Sequence, residues 1–184
     1  MNHVEQVQPS AWVARFAPLV PAGASVLDVA CGGGRQTRLF AARGCAVEAV
    51  DRDASALAQL VGVVGARAVQ ADLEAGAWPY AGRRFDAVVV VNYLYRLRFA
   101  ELLECVAPGG LLIYETFMRG NERFGKPSNP DFLLATDELL QRVAGSFAVL
   151  AFEQGEIMEP RPAMVQRICA LRRGEGEPEL PRLP

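Results

Sequence analysis

The chain has 184 residues, 51% of them hydrophobic, with 19 Lys and Arg against 21 Asp and Glu and a formal net charge of −2. That length suits a single domain with a full core, and a pI near 5.5 excludes broad, charge-driven binding of nucleic acid. No apolar stretch is long enough to span a membrane, and the polar start Met1–Pro9 has no signal-peptide core, so a cytoplasmic protein is expected.

Cys31, Cys45, Cys105 and Cys169 are widely scattered, with His3 as the one imidazole, so neither a zinc site nor a disulfide framework is expected. Ser10 to Leu19 predicts a short helix with Trp12, Val13 and Phe16 on one face, stopped around Pro18 and Pro21. It is expected to cover the pocket mouth or one sheet face. Val26 to Ala30 reads as a strand buried on both faces, interrupted only by Asp28. Gly32, Gly33 and Gly34 then permit positive φ and close backbone approach to a ligand. A helix over Arg35 to Arg43, ended by Gly44, turns its free N–H groups toward that ligand. An anionic or carbonyl-rich group is therefore expected there.

Cys45 to Val50 is the second strand, and Asp51 follows it directly. A carboxylate at this strand end suits the two hydroxyls of a ribose. The competing role, capping the helix Ala54 to Leu60, fits Asp53 better. Ala66 to Gln70 is a third strand ending in Ala71-Asp72-Leu73, and Ala75 to Arg84 reads as a loop in which Trp78 packs. The continuous apolar run Phe85 to Asn92 belongs at the sheet centre. Its end delivers Asn92, Tyr93, Leu94 and Tyr95 to the edge where parallel sheets bind ligands.

Arg96 to Val106 predicts a helix, Ala107-Pro-Gly-Gly110 a turn, and Leu111 to Tyr114 a strand continued by Glu115-Thr116-Phe117. Met118 to Ala135 is too long for an ordinary connection and reads as a lid or binding loop. Thr136-Asp-Glu138 opens a helix with a cap and two acids. Phe147 to Glu153 and Val165 to Leu171 then form a hairpin, which places one antiparallel strand near the C-terminus. Residues 1–172 are expected to be one domain, and 173–184, rich in Gly, Glu and Pro, a disordered tail.

Asp28 followed by Ala30-Cys-Gly-Gly-Gly34 resembles the first motif of class I S-adenosylmethionine (SAM) dependent methyltransferases. A dinucleotide site is the competing reading, but its third glycine would fall at Thr37, and an acid inside the first strand would lie near the pyrophosphate. The resemblance runs from Ser25 to Leu171. It implies an α/β, Rossmann-like three-layer sandwich with a seven-stranded, mostly parallel sheet. It also implies cofactor contacts at Asp28, Ala30, Cys31, Gly32 and Gly34, at Asp51 with Arg52 for the ribose, and at Asp72 and Leu73 for the adenine. Asp72 as a turn cap is the alternative. Asn92 completes the set, and because Tyr93 and Leu94 follow it, the Asn-Pro-Pro-Tyr of base and glutamine methylases is not matched. Tyr114 to Phe117 and Asn129 to Leu134 resemble small bacterial methyltransferases of unassigned acceptor.

Because the SAM methyl is already activated by its sulfonium, such a protein has mainly to hold a nucleophile in line and exclude water. A base is needed only where the acceptor must lose a proton. Glu115 is the candidate base, with a role in fixing the lid as the alternative, and Tyr93 is the second candidate catalytic residue. Tyr93 and Tyr95 are expected to line the acceptor pocket or orient the sulfonium. Phe117, Arg119 and Asn129 are expected to contact the acceptor. Arg119, Arg123 and Lys126 form a cationic cluster, either for an anionic acceptor or as a solvated face. The resemblance implies a SAM-dependent methyltransferase that releases S-adenosylhomocysteine, no metal is expected, and the long lid, the acidic pI and the lack of an added binding domain point to a small-molecule acceptor. An RNA or protein acceptor, or a non-catalytic SAM sensor, are the alternatives.

Overall fold

The computed structural model describes residues 8–184, and the expectations placed on His3 and the extreme start lie outside the described residues. Seven strands form one sheet: β1 (Ser25–Val29), β2 (Ala46–Asp51), β3 (Ala66–Gln70), β4 (Phe85–Val91), β5 (Val106–Phe117), β6 (Phe147–Ile157) and β7 (Ala163–Arg172). Their order is β3-β2-β1-β4-β5-β7-β6. β1 to β5 pair parallel, and β7 enters antiparallel between β5 and β6. The predicted sheet and its single reversed strand are both present.

Alternation of side chains along each strand divides the core in two. On one face Val26, Val47, Val89 and Ile113 pack against helices α1 (Ala11–Phe16) and α2 (Arg35–Ala42), through Trp12, Phe16 and Phe40. The short helix α3 (Ala54–Leu57) covers Ala49 beside them. On the other face Leu27, Val88, Val90 and Leu112 meet α4 (Phe99–Glu104) and α5 (Glu138–Val143). Helix α1 thus covers a sheet face, the second of the two places expected for it.

No helix follows β3. Residues 71–84 run as a loop whose Leu73, Trp78 and Tyr80 plug into the core directly. Arg83 pins it by a bidentate pair with buried Glu48, at 2.7 and 2.9 Å. Those bonds outweigh burial and hold the Glu48 carboxyl below its usual range.

Several expected boundaries move: the helix expected over Arg96 to Val106 is α4 preceded by a 3₁₀ turn at Arg96–Arg98, with Val106 already in β5, and β6 runs on to Ile157. The turn at Ala107–Gly110 lies inside β5, because Phe85 pairs with Val106 while Ala87 already pairs with Leu111. The extra residues bulge outward, and Gly110 is required there since a Cβ would sit 2.9 Å from two carbonyl oxygens. The helix expected from Thr136 starts instead at Glu138 and has no side-chain cap. Asp137 uses its carboxylate on Gln154, at 2.6 Å.

Candidate functional site

The carboxyl ends of β1 to β4 surround a cleft of about 150 Å³. The turn after β1 supplies Ala30, the end of β2 supplies Asp51 and Arg52, the segment after β3 supplies Ala71 to Glu74, and the segment after β4 supplies Tyr93. Six of the residues expected at the site from sequence therefore line it. Ala71 and Glu74 were not singled out, although they flank Asp72 and Leu73 on the same strand exit.

The glycine turn is built as a cradle. Gly32 and Gly34 have φ of 53° and 79°, in the region that favours glycine. A Cβ on Gly34 would lie 2.2 Å from Leu60, whereas one on Gly32 would meet nothing within 4 Å. The turn is thus packed from behind and open in front. Ala30 adopts φ 53° and Asn92 φ 58°, so two further residues at the strand ends hold a left-handed backbone despite carrying side chains.

Asp51 is fixed by two backbone donors. One carboxylate oxygen accepts from the Gly32 N–H at 2.8 Å, the other from the Asp53 N–H at 2.9 Å. Each oxygen keeps a lone pair free beside the cleft. Asp53 does cap α3, accepting from Ser55 and Ala56, so Asp51 is not needed for that. Asp72 accepts from the Glu74 N–H at 2.9 Å, which shapes the exit of β3 and leaves its second oxygen uncommitted.

Asp28 lies beneath the turn rather than on the cleft wall. It is 1% exposed and accepts a 2.6 Å hydrogen bond from the Thr37 hydroxyl. Burial pushes its pKa up to about 6, against the pull of the Thr37 bonds. Thr37 occupies the position where a dinucleotide fold would carry its third glycine, and its hydroxyl is used here as a partner for the acid. The side chain of Cys31 also turns inward, packing with Ala49, Leu57 and Leu60.

Tyr93 has a buried hydroxyl without a hydrogen-bond partner. Burial raises its pKa, so it stays protonated, and the residue forms part of the cleft wall. The Tyr95 hydroxyl is engaged, donating to the Glu74 carbonyl at 3.3 Å. Buried Tyr114 donates to the Tyr93 carbonyl at 2.6 Å and holds the segment after β4 in place.

Glu115 sits at the same sheet edge, and the Asn92 N–H donates to its carbonyl at 2.9 Å. Its carboxylate is paired with Arg167 of β7 at 2.5 Å, and that guanidinium also meets Glu153 at 3.5 Å and the Trp12 ring at 6.0 Å. Arg167 was not foreseen, because the pairing depends on antiparallel register between strands far apart in sequence. Phe117, Arg119 and Asn129 lie away from the first cleft. Phe117 lines a second cavity, Arg119 is exposed, and Asn129 caps a short turn by accepting from the Asp131 N–H.

Comparison with known proteins bears on this arrangement. The family described as "Methyltransferase domain" matches residues 1–149. A malonyl-[acyl-carrier protein] O-methyltransferase of Enterobacter lignolyticus is 38% identical over 99 residues, which is 50% of this chain and 39% of that protein. Among solved structures, TehB of Haemophilus influenzae superposes with a TM-score of 0.71 at 19% identity, over 88% of this chain and 61% of that one. The N-methyltransferase NodS of Bradyrhizobium japonicum, complexed with S-adenosylhomocysteine, gives 0.67 at 14%, over 87% and 83%. These structural likenesses concern the fold. The family match carries more, since it runs through every strand that contributes to the cleft, and by it the chain belongs to the methyltransferase-domain family.

Proposed function

We propose that the chain transfers a methyl group from SAM to a small-molecule acceptor, leaving S-adenosylhomocysteine. The observation that carries this reading is Asp51, clamped to the backbone of the glycine turn and set beside a cleft at the ends of four strands. The residues fit an adenosyl ligand. Asp51 with Arg52 receives the ribose, Asp72 and the Leu73 N–H face the adenine edge, and the open front of Gly32 admits the amino-acid half. Asp28, Cys31 and Gly34 support that turn from behind, and Ala30 and Asn92 shape the strand ends through their left-handed backbone.

When bound, SAM supplies a methyl group on a good leaving group. The chain's own task is positioning and water exclusion. Tyr93 forms part of the wall against which the bound group is held. Glu115, held in place by its ion pair with Arg167, accepts a hydrogen bond from the acceptor and aligns its lone pair. In this reading segment 118–135 supplies the acceptor side, with Phe117 and Arg119 at its first root and Asn129 capping a turn within it, while Tyr95 lies beside Glu74. The small-molecule reading draws support from the net charge of −2 and the pI near 5.5, which argue against broad, charge-driven binding of a polyanion.

Calorimetric titration with SAM, S-adenosylhomocysteine and NADH tests the cofactor. Binding of the first two alone is expected, and binding of NADH alone overturns the reading. A metabolite extract incubated with methyl-labelled SAM then identifies the acceptor, and label appearing only in RNA or protein refutes the small-molecule assignment.

A further inference from the structure

A second cavity, of about 120 Å³, opens where the lid segment meets the turn between β6 and β7. Its lining mixes the apolar side chains of Phe117, Phe124, Pro162 and Ala163 with a predominantly polar surface that includes Asn121, and its two charges are both positive, Lys126 and Arg161. No carboxylate lines it, and among the described residues neither cation has a salt-bridge partner, although Arg123 nearby is paired with Glu156 at 3.5 Å. Two cations without salt-bridge partners, sharing a cavity with two phenylalanines, make a receptor for an anion carried on an apolar body.

The cavity is held open by its surroundings. Asn121, 2% exposed, donates to the Pro127 carbonyl at 3.1 Å and accepts from the Met164 N–H at 3.1 Å, tying the lid to β7 behind the cations. Phe117 also lies two residues beyond Glu115 on the same side of β5. At ~3.3 Å of rise per residue, that puts the cavity about 7 Å farther out along the strand. An acceptor whose nucleophile lies at Glu115 can therefore place its far end here.

We propose that this cavity binds the anionic end, a carboxylate or phosphate monoester, of a small aromatic or aliphatic acceptor. The proposal rests on the methyltransferase reading above for the identity of the bound molecule as acceptor, and on the cavity alone for its charge. Benzoate, phenyl phosphate and neutral benzamide serve as probes, titrated into the full chain preloaded with S-adenosylhomocysteine and followed by NMR.

At least one anion is expected to bind tenfold more tightly than benzamide. Tighter binding of benzoate assigns a carboxylate, and tighter binding of phenyl phosphate a phosphate. The double variant Lys126→Gln/Arg161→Gln, at two exposed positions, is expected to lose that preference at least tenfold while keeping its thermal midpoint and its affinity for S-adenosylhomocysteine. Equal binding of benzamide, or an anion preference that survives in the double variant, overturns the proposal. Failure of the methyltransferase reading would show differently, as wild-type protein that binds the anions but not S-adenosylhomocysteine.

Discussion

Replacing Asp28 by Asn isolates the energetic consequence of a buried acid under the glycine turn. Its pKa rises from the ordinary 3.8 to about 6 because burial disfavours the charge more than Thr37 favours it. At ~1.36 kcal/mol per pH unit, that is about 3 kcal/mol between the two protonation states. The folded chain binds the proton more tightly than the unfolded chain. The contribution of neutral Asp28 is therefore fully present below pH 3.8 and is lost as pH rises through 6. The Asn variant lacks this slope. Its carbonyl can still accept from Thr37, while its amide hydrogens need a new acceptor and fix the offset at low pH. Urea unfolding of both proteins from pH 4 to pH 8 should show the variant gaining about 2.5 kcal/mol relative to wild type across that window, flat above about pH 7. Parallel stability curves would refute the reasoning, and with it the claim that the acid ionises at a cost in stability.

Asp51→Ala should weaken SAM binding at least tenfold by calorimetry. It should also cost ~1–2 kcal/mol in unfolding, since the N–H groups of Gly32 and Asp53 lose their acceptors. Gly34→Ala brings a Cβ to 2.2 Å from Leu60 at a φ of 79°. A thermal midpoint within a degree of wild type would contradict that geometry, because the left-handed backbone alone costs ~1–2 kcal/mol. For Glu138, burial is outweighed by bonds from Arg96, the Ala135 N–H and Arg142, which lower its pKa from 4.5 to about 2. Its stabilisation is present above pH 4.5 and is lost as pH falls toward 2. Glu138→Gln should accordingly destabilise by ~2 kcal/mol at pH 7 and by much less at pH 3. Glu115→Gln should lower kcat toward the acceptor found in the extract while leaving the SAM dissociation constant unchanged, and a weaker SAM affinity would place the residue in the wrong half of the site.

The central parallel strands were legible because each contains a short apolar run with a polar residue at its end, as in Phe85 to Asn92. The strand-end residues lining the first cleft follow from that pattern, since a strand's exit fixes which side chains reach the edge. What escaped depends on distant partners. Arg167 reads as an ordinary residue of a hairpin until register sets it opposite Glu115. Thr37 stood out only as a missing glycine, and its bond to Asp28 needs the helix turned to the correct phase. The extension of β6 to Ile157 was hidden because Gln154-Gly-Glu156 is polar, which an edge strand tolerates on its solvent side. The start of α5 was misplaced because Thr136 looks like a cap, whereas Glu138 reaches back to the Ala135 N–H at 2.9 Å.

Segment 118–135 is stapled at both roots. The Arg119 N–H donates to the Leu134 carbonyl at 2.9 Å, the Leu134 N–H to the Phe117 carbonyl at 3.0 Å, and the Arg96 guanidinium to the carbonyls of Asp131 and Leu133 at 2.6 and 2.7 Å. Every one of these bonds ends on a main-chain atom of the segment, so none depends on the side chains in between. With Asn121, Leu133 and Leu134 kept for their buried contacts, the exposed positions of the stretch can thus be rewritten, trading one clientele for another, while the sheet beneath it stays the same.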